Sequence, residues 1–252
     1  MLWRKTLNLW KLALTANADL AVKTFLAFLL LNLLFFTPLQ PLAAFAQNLL
    51  TFALIIFFGK LYLSNPEEKT FLARLMAASF GGAVKPNLLP ALALVLAQYV
   101  MTFLLLVFLV AGLMLVAALF GVTLFVFGTA LPLWAVGLLV VALVFLYFSM
   151  ATSYPLFFAR ALIEAKDAKD YFIKFLTAPF SPLLLKMGFS IPLLTSSLIV
   201  SAVALLLFVV QFLLYHLLPF TTVFSFYFTY ANLLLIYLFG VISLKAFLEG
   251  EL

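Results

Sequence analysis

The sequence predicts an all-α fold: a polytopic membrane bundle of about six transmembrane helices in three hairpins, each hairpin preceded by an interfacial elbow helix. Three observations predict it. Of the 252 residues, 68% are hydrophobic and 9% are charged, whereas soluble domains are roughly 45–50% apolar and about 25% charged. The charges gather into four clusters separated by three charge-free stretches. Those stretches are continuously apolar, whereas a transmembrane barrel needs segments of about ten residues with alternating polarity. Mean hydropathy is +1.31, and a bilayer is the solvent that accepts so much apolar surface.

The charge map gives the spans. Arg4, Lys5, Lys11, Asp19 and Lys23 form the first cluster. Lys60, Glu67, Glu68, Lys69, Arg74 and Lys85 form the second. The third holds Arg160, Glu164, Lys166, Asp167, Lys169, Asp170, Lys174 and Lys186, and the fourth holds Lys245, Glu249 and Glu251. Between them lie residues 24–59, 86–159 and 187–244. A crossing helix needs about 20 residues, so the second and third stretches hold two spans each. The first holds two if Lys23 and Lys60 carry their ammonium groups out to the interface along apolar stems. The expected spans are 20–36, 42–62, 92–118, 134–156, 190–214 and 223–244. Proline removes a donor and ends helical runs, and the turns are expected at 37–41, 121–132 and 216–222.

Every charged cluster then lies on one face of the membrane. Lys and Arg favour the cytoplasmic side, which puts both termini in the cytoplasm and the protein in the cell membrane. Arg4, Lys5 and Lys11 before an apolar run, with Ala44-Phe45-Ala46 after it, resemble a secretory signal. The run continues past Ala46, which favours a retained span.

An internal repeat is expected in one domain covering 1–252, with units of about 1–63, 64–159 and 160–252. Residues 71–80 align with 171–180 at an offset of 100: Phe71 with Tyr171, Arg74 with Lys174, Ala78 with Ala178 and Phe80 with Phe180. Leu9-Trp10-Lys11-Leu12 carries a weaker version. An aromatic-plus-cation segment of this kind suits an interfacial helix, and Trp3 and Trp10 suit the same depth. Lys11, Arg74 and Lys174 are therefore the expected contacts to lipid headgroups. In the segment 159–174, Arg160 and Glu164, Lys166 and Asp170, and Asp170 and Lys174 are spaced for one helix face. That pattern predicts that the fourth span continues as a helix into the cytoplasm. Its bland reading is a solvated face, and its sharper reading is a docking site for a cytoplasmic protein.

Three elbow-plus-hairpin units, with Phe71–Phe80 and Tyr171–Phe180 as two of the elbows, resemble bacterial and archaeal six-span proteins of the glycerophosphodiester phosphodiesterase membrane-domain type. The resemblance implies a membrane bundle along nearly the whole chain. It implies no phosphodiesterase activity, because the soluble catalytic domain of some such proteins has no counterpart here.

No catalytic chemistry is legible. Cysteine is absent, which excludes thiol nucleophiles, disulfides and thiolate metal sites within this chain. His216 is the one histidine; without a nearby carboxylate it lacks a base–orienter pair. Zinc-protease, nucleophile-elbow and phosphate-loop motifs are missing, so no cofactor or metal is expected. The polar groups within spans are amides and hydroxyls. Asn32, Gln98, Gln211 and Asn232 either tie helices together or line a polar path for a substrate. Pro86, Pro90 and Pro192 suit either broken helices or first-turn positions. The sequence thus favours a non-enzymatic membrane protein that meets anionic lipid or assembles with protein partners, with a permease subunit as the alternative. The net charge of +6 is placed for a membrane surface, not for nucleic acid.

Single cysteines introduced at Gln40, Thr129 and Thr221 should react with an impermeant thiol reagent added outside intact cells. Labelling only after the cytoplasmic side is opened would invert the topology.

Overall fold

The computed structural model describes residues 2–127, 133–187 and 190–251, which are helical without strands. The helices are α1 (Leu2–Thr15), α2 (Ala18–Phe35), α3 (Gln40–Ser64), α4 (Glu68–Met76), α5 (Phe80–Val84) and α6 (Leu88–Phe127). They are followed by α7 (Leu133–Thr152), α8 (Tyr154–Glu164), α9 (Ala168–Leu176), α10 (Pro182–Met187), α11 (Ile191–Leu217) and α12 (Ser225–Leu248). Short 3-10 turns at Lys85–Asn87, Ala178–Phe180 and Pro219–Phe224 join some of them. Among the described residues, five helical segments are long and apolar enough to cross a membrane: Ala18–Phe35, Gln40–Ser64, Phe80–Val122, Ile191–Leu217 and Thr221–Leu248.

The helix limits follow local chemistry. Asn17 caps α2 by accepting a hydrogen bond from the Leu20 N–H at 2.9 Å. Pro41 falls in the first turn of α3, where a missing N–H leaves no bond unmade. Pro90 is the third residue of α6 and Pro192 the second of α11, so both are first-turn prolines.

Several expected boundaries need correction. The turn expected at 121–132 is helical through Phe127, and 128–132, which include Thr129, lie outside the described residues. A helical glycine costs only about 1 kcal/mol against alanine, so Gly121 does not stop a Leu- and Phe-rich run. With 40 residues, α6 is about 60 Å long, well beyond the expected span of 92–118. The turn expected at 216–222 begins later, because α11 runs through Leu217. His216 stays on its last turn, with Nδ1 2.9 Å from the Phe212 carbonyl. The fourth span does not continue unbroken into 159–174. It stops at Thr152, α8 restarts at Tyr154, and a second break separates Glu164 from Ala168. Pro155 has no N–H to extend the ladder, and the Asp167 side chain caps α9 by accepting from the Asp170 N–H at 2.8 Å.

The chain divides into two compact units, Met1–Val95 with Pro155–Leu252, and Leu96–Tyr154. In the first, α12 packs on α1, α2, α3 and α11, and α3 packs on α2, α4 and α5. Phe52, Phe158 and Tyr237 join α3, α8 and α12 in one ring cluster, with Phe158 and Tyr237 centroids 4.9 Å apart. Phe28 stacks on Tyr230 at 4.9 Å where α2 meets α12. Such pairs contribute about 0.5–1.5 kcal/mol beyond area burial. Helix α1 buries Thr6, Leu9 and Ala13, one stripe at helical spacing, and Trp10 donates to the Ala231 carbonyl of α12 at 2.7 Å. In the second unit, α6 and α7 meet at Gly112 and Leu143, and the Thr102 and Tyr154 hydroxyls lie 3.0 Å apart.

Gly240 of α12 lies against the Pro155 carbonyl, where an added Cβ would overlap backbone. Backbone cannot swing aside as a side chain can. Gly240→Ala should therefore lower Tm in detergent by an amount corresponding to about 1–3 kcal/mol, the usual cost of overpacking. Gly121→Ala and Gly137→Ala, where a Cβ meets open space, should leave Tm unchanged or raise it.

Candidate functional site

The C-terminal end of α3 carries that helix's one charged residue, Lys60. Lys60 and Tyr62 are two residues apart, so they leave the helix about 200° from each other. Tyr62 turns inward and is buried. Its ring lies between two ammonium groups, Lys5 at 5.2 Å and Lys245 at 5.7 Å from the centroid. Lys245 also reaches the Leu63 carbonyl at 3.4 Å and Glu249 at 3.5 Å. It thus offsets the negative end of the α3 dipole.

Lys60 does something different. Its ammonium donates to Asn87 Oδ1 at 3.1 Å and stands 5.7 Å over the Tyr171 ring. Asn87 is buried and held by its own bond from Nδ2 to the Ala83 carbonyl, 2.8 Å. Burial pushes the Tyr171 phenol up to about 12, so the ring presents a neutral π face. Phe57, Lys60, Leu61, Ser64, Asn65 and Asn87 line an open cleft of about 210 Å³. Among the described residues no carboxylate pairs with Lys60, whereas Lys23, Lys174 and Lys245 each have one.

A second polar group joins α2, α11 and the start of α12. Asn32 is buried. Its Nδ2 donates to the Thr222 carbonyl at 2.8 Å, and its Oδ1 accepts from the Ser225 hydroxyl at 2.9 Å. Tyr215 hydrogen-bonds Ser225 and accepts from Gln211 Nε2 at 2.7 Å. Two of the four path residues, Asn32 and Gln211, therefore belong to one hydrogen-bonded chain. Asn232 stands apart: its Nδ2 reaches the Ala204 carbonyl at 3.4 Å, and its buried Oδ1 has no partner among the described residues. Gln98 lies on α6 in the other unit.

The three expected headgroup cations differ. Lys11 and Arg74 are exposed on α1 and α4. Lys174 is on α9, and its ammonium contacts Glu164 at 3.0 Å. Of the three ion pairs expected in 159–174, only Arg160 with Glu164 forms, at 3.1 Å. The break before α9 folds that helix back on α8, so that Lys174 meets Glu164. The Asp170 carboxylate instead accepts from the Lys166 backbone N–H at 3.3 Å.

An uncharacterized protein of Aquifex aeolicus (strain VF5) is 39% identical over 255 residues, covering 99% of this chain and 94% of that one. The chain belongs to the family of that protein. No family model matches it, and no solved structure matches it. With near-complete coverage of both chains, the relationship extends through α1, the α3 cleft and α12 alike.

Sequence reasoning did not single out Asn17, Tyr62 or Asn87. Asn17 had a signal, an amide two residues before Asp19 at the head of an apolar run, which is an N-cap pattern. Its Nδ2 also donates to the Leu75 and Ala78 carbonyls, both at 2.8 Å, a long-range link without a local signature.

Burial pushes the Glu164 carboxyl up, but hydrogen bonds from Lys174 and Arg160 outweigh it and hold the group below its ordinary range. A carboxyl depressed on folding stabilises the fold fully above its unfolded pKa and loses that contribution as pH falls through its folded pKa. Thermal stability in detergent should therefore fall as pH drops below 4.5, the ordinary glutamate value. Glu164→Gln should lower Tm at neutral pH and flatten that part of the acid profile.

Proposed function

We propose that the protein is a six-span membrane protein that acts without catalysis, by holding anionic lipid at the face where its charged segments lie. In this reading α2 with α3, α6 with α7, and α11 with α12 form the three hairpins. Helices α1, α4 and α9 are the elbows, and both termini are cytoplasmic. The observation that carries it is the outer surface of α2 and α11. Leu26, Leu30 and Leu33 point outward on α2, as do Leu194, Leu198 and Leu205 on α11. Exposed apolar area on that scale needs a nonpolar solvent. Cations without a carboxylate among the described residues, Lys11 and Arg74, flank it.

The repeat gains support beyond the ten aligned residues. At the same offset of 100, Phe57-Phe58-Gly59-Lys60 faces Phe157-Phe158-Ala159-Arg160, and Glu67 faces Asp167. Helix α4 (Glu68–Met76) and α9 (Ala168–Leu176) keep that offset, and each buries an aromatic with a residue four later: Phe71 with Leu75, and Tyr171 with Phe175. The likeness to the glycerophosphodiester phosphodiesterase membrane-domain type rests on the same layout. A crossing helix as long as α6 tilts or extends past the hydrocarbon core. On the cytoplasmic side, a protein partner would meet the exposed Lys166, Asp167 and Lys169 between α8 and α9.

The permease reading would route a substrate past Asn32, Gln98, Gln211 and Asn232. Asn32 commits its amide to Thr222 and Ser225, and Gln211 donates to Tyr215 on its own helix, which favours the lipid reading.

Near an anionic leaflet each basic residue gains about 1 kcal/mol, and salt screens that gain. Replacing Lys11, Arg74 and Lys174 together by Gln should lower thermal stability in phosphatidylglycerol liposomes, less so at high salt, and much less in phosphatidylcholine liposomes. An equal loss in both lipids would assign these cations to helix packing and sink the lipid reading.

A further inference from the structure

We infer that the cleft at the end of α3 is a binding site for one phosphate-bearing anionic headgroup, with Lys60 as its cation and the lipid's own chain lying along Phe57 and Leu61. The inference rests on the membrane reading above and names a site that reading does not use.

The donor set points to an anion. Lys60 has three N–H bonds, of which one goes to Asn87 Oδ1. The Asn87 amide is fixed by Ala83, so it positions the ammonium without neutralising it. Asn65 gives one N–H to the Leu61 carbonyl at 3.2 Å, and its second is free to turn toward the cleft with the exposed Ser64 hydroxyl. Two lysine protons remain, Ser64 and Asn65 line the same cleft, and no carboxylate among the described residues pairs with Lys60. The Tyr171 face closes one side of the ammonium and holds it by a cation–π contact. A part-desolvated cation held by neutral groups binds an anion more strongly than a fully hydrated one, because its charge-assisted bonds form in a lower dielectric.

The position points to a lipid as the source. Lys60 ends a charge-free stretch of residues 24–59, where a lysine carries its charge to headgroup depth. The remaining lining is apolar, Phe57 and Leu61, which suits an acyl chain better than a hydrated free ion. Lys245 is engaged on the Leu63 carbonyl and Glu249 and Lys5 on the Tyr62 ring, while Lys85, two residues before Asn87, is exposed.

The test uses the full chain in a zwitterionic detergent, titrated with dihexanoyl phosphatidylglycerol and followed by native mass spectrometry and thermal shift. One saturable site is expected. Lys60→Gln should weaken it by about tenfold or more, the effect of losing a charge-assisted contact, while Lys60→Arg should retain most of it. Equal binding of dihexanoyl phosphatidylcholine would overturn the anionic selectivity. Inorganic phosphate protecting at equal or lower concentration would overturn the lipid source. Unchanged binding in Lys60→Gln, with its ligand-free Tm preserved, would overturn the site. If Lys60→Gln does not fold, Asn87→Leu, which removes the acceptor holding the ammonium, should weaken binding while the Lys11, Arg74 and Lys174 triple variant should not. Binding lost in the triple variant but kept in Asn87→Leu would overturn this site while sustaining the general surface reading.

Discussion

Helix α12 is largely apolar, and from Leu234 to Leu244 every residue but Ile236 is buried. Leu234, Leu235, Tyr237, Leu238, Val241, Ile242 and Leu244 are all buried. The rest of the first unit depends on this burial. A helix without a polar stripe has no preferred side, so its neighbours must supply four different faces, and α1, α2, α3 and α11 do so. Gly240 lets α8 approach to backbone contact, and small residues are what permit such approach between apolar helices. Packing rather than water release then decides which helices meet.

Polar groups in such a bundle have few places to go. Asn32 answers its own burial by joining Thr222 and Ser225, and Asn17 by joining the end of α4. Both residues connect segments far apart in the chain, so each fixes a packing arrangement as well as satisfying itself. The charged groups are sorted likewise. Arg160 and Lys174 share the Glu164 carboxylate between α8 and α9. Lys5 and Lys245 share the Tyr62 ring. Lys60 alone among these meets only an amide and a ring, and that asymmetry makes the α3 cleft chemically distinct from the other helix ends.

The sequence by itself determined the helical class and the apolar runs, because both are properties of continuous stretches. Leucine, phenylalanine and alanine favour a helix in any setting, and charge at the edges of a run is visible without a partner. The cations at helix ends, Lys60 among them, were legible for the same reason. The tertiary structure decided what a period cannot encode. Gly121 reads as a turn in sequence, yet one helical glycine costs too little to stop α6 in a Leu- and Phe-rich run. Lys174 reads as the partner of Asp170, yet the Asp167 cap breaks the helix and delivers Lys174 to Glu164. Asn87 reads as a residue near a proline, yet only the return of that turn to α3 makes it the acceptor for Lys60. The contacts of Lys60 with Asn87 and of Lys174 with Glu164 join separate helices, and a spacing rule within one helix does not contain them.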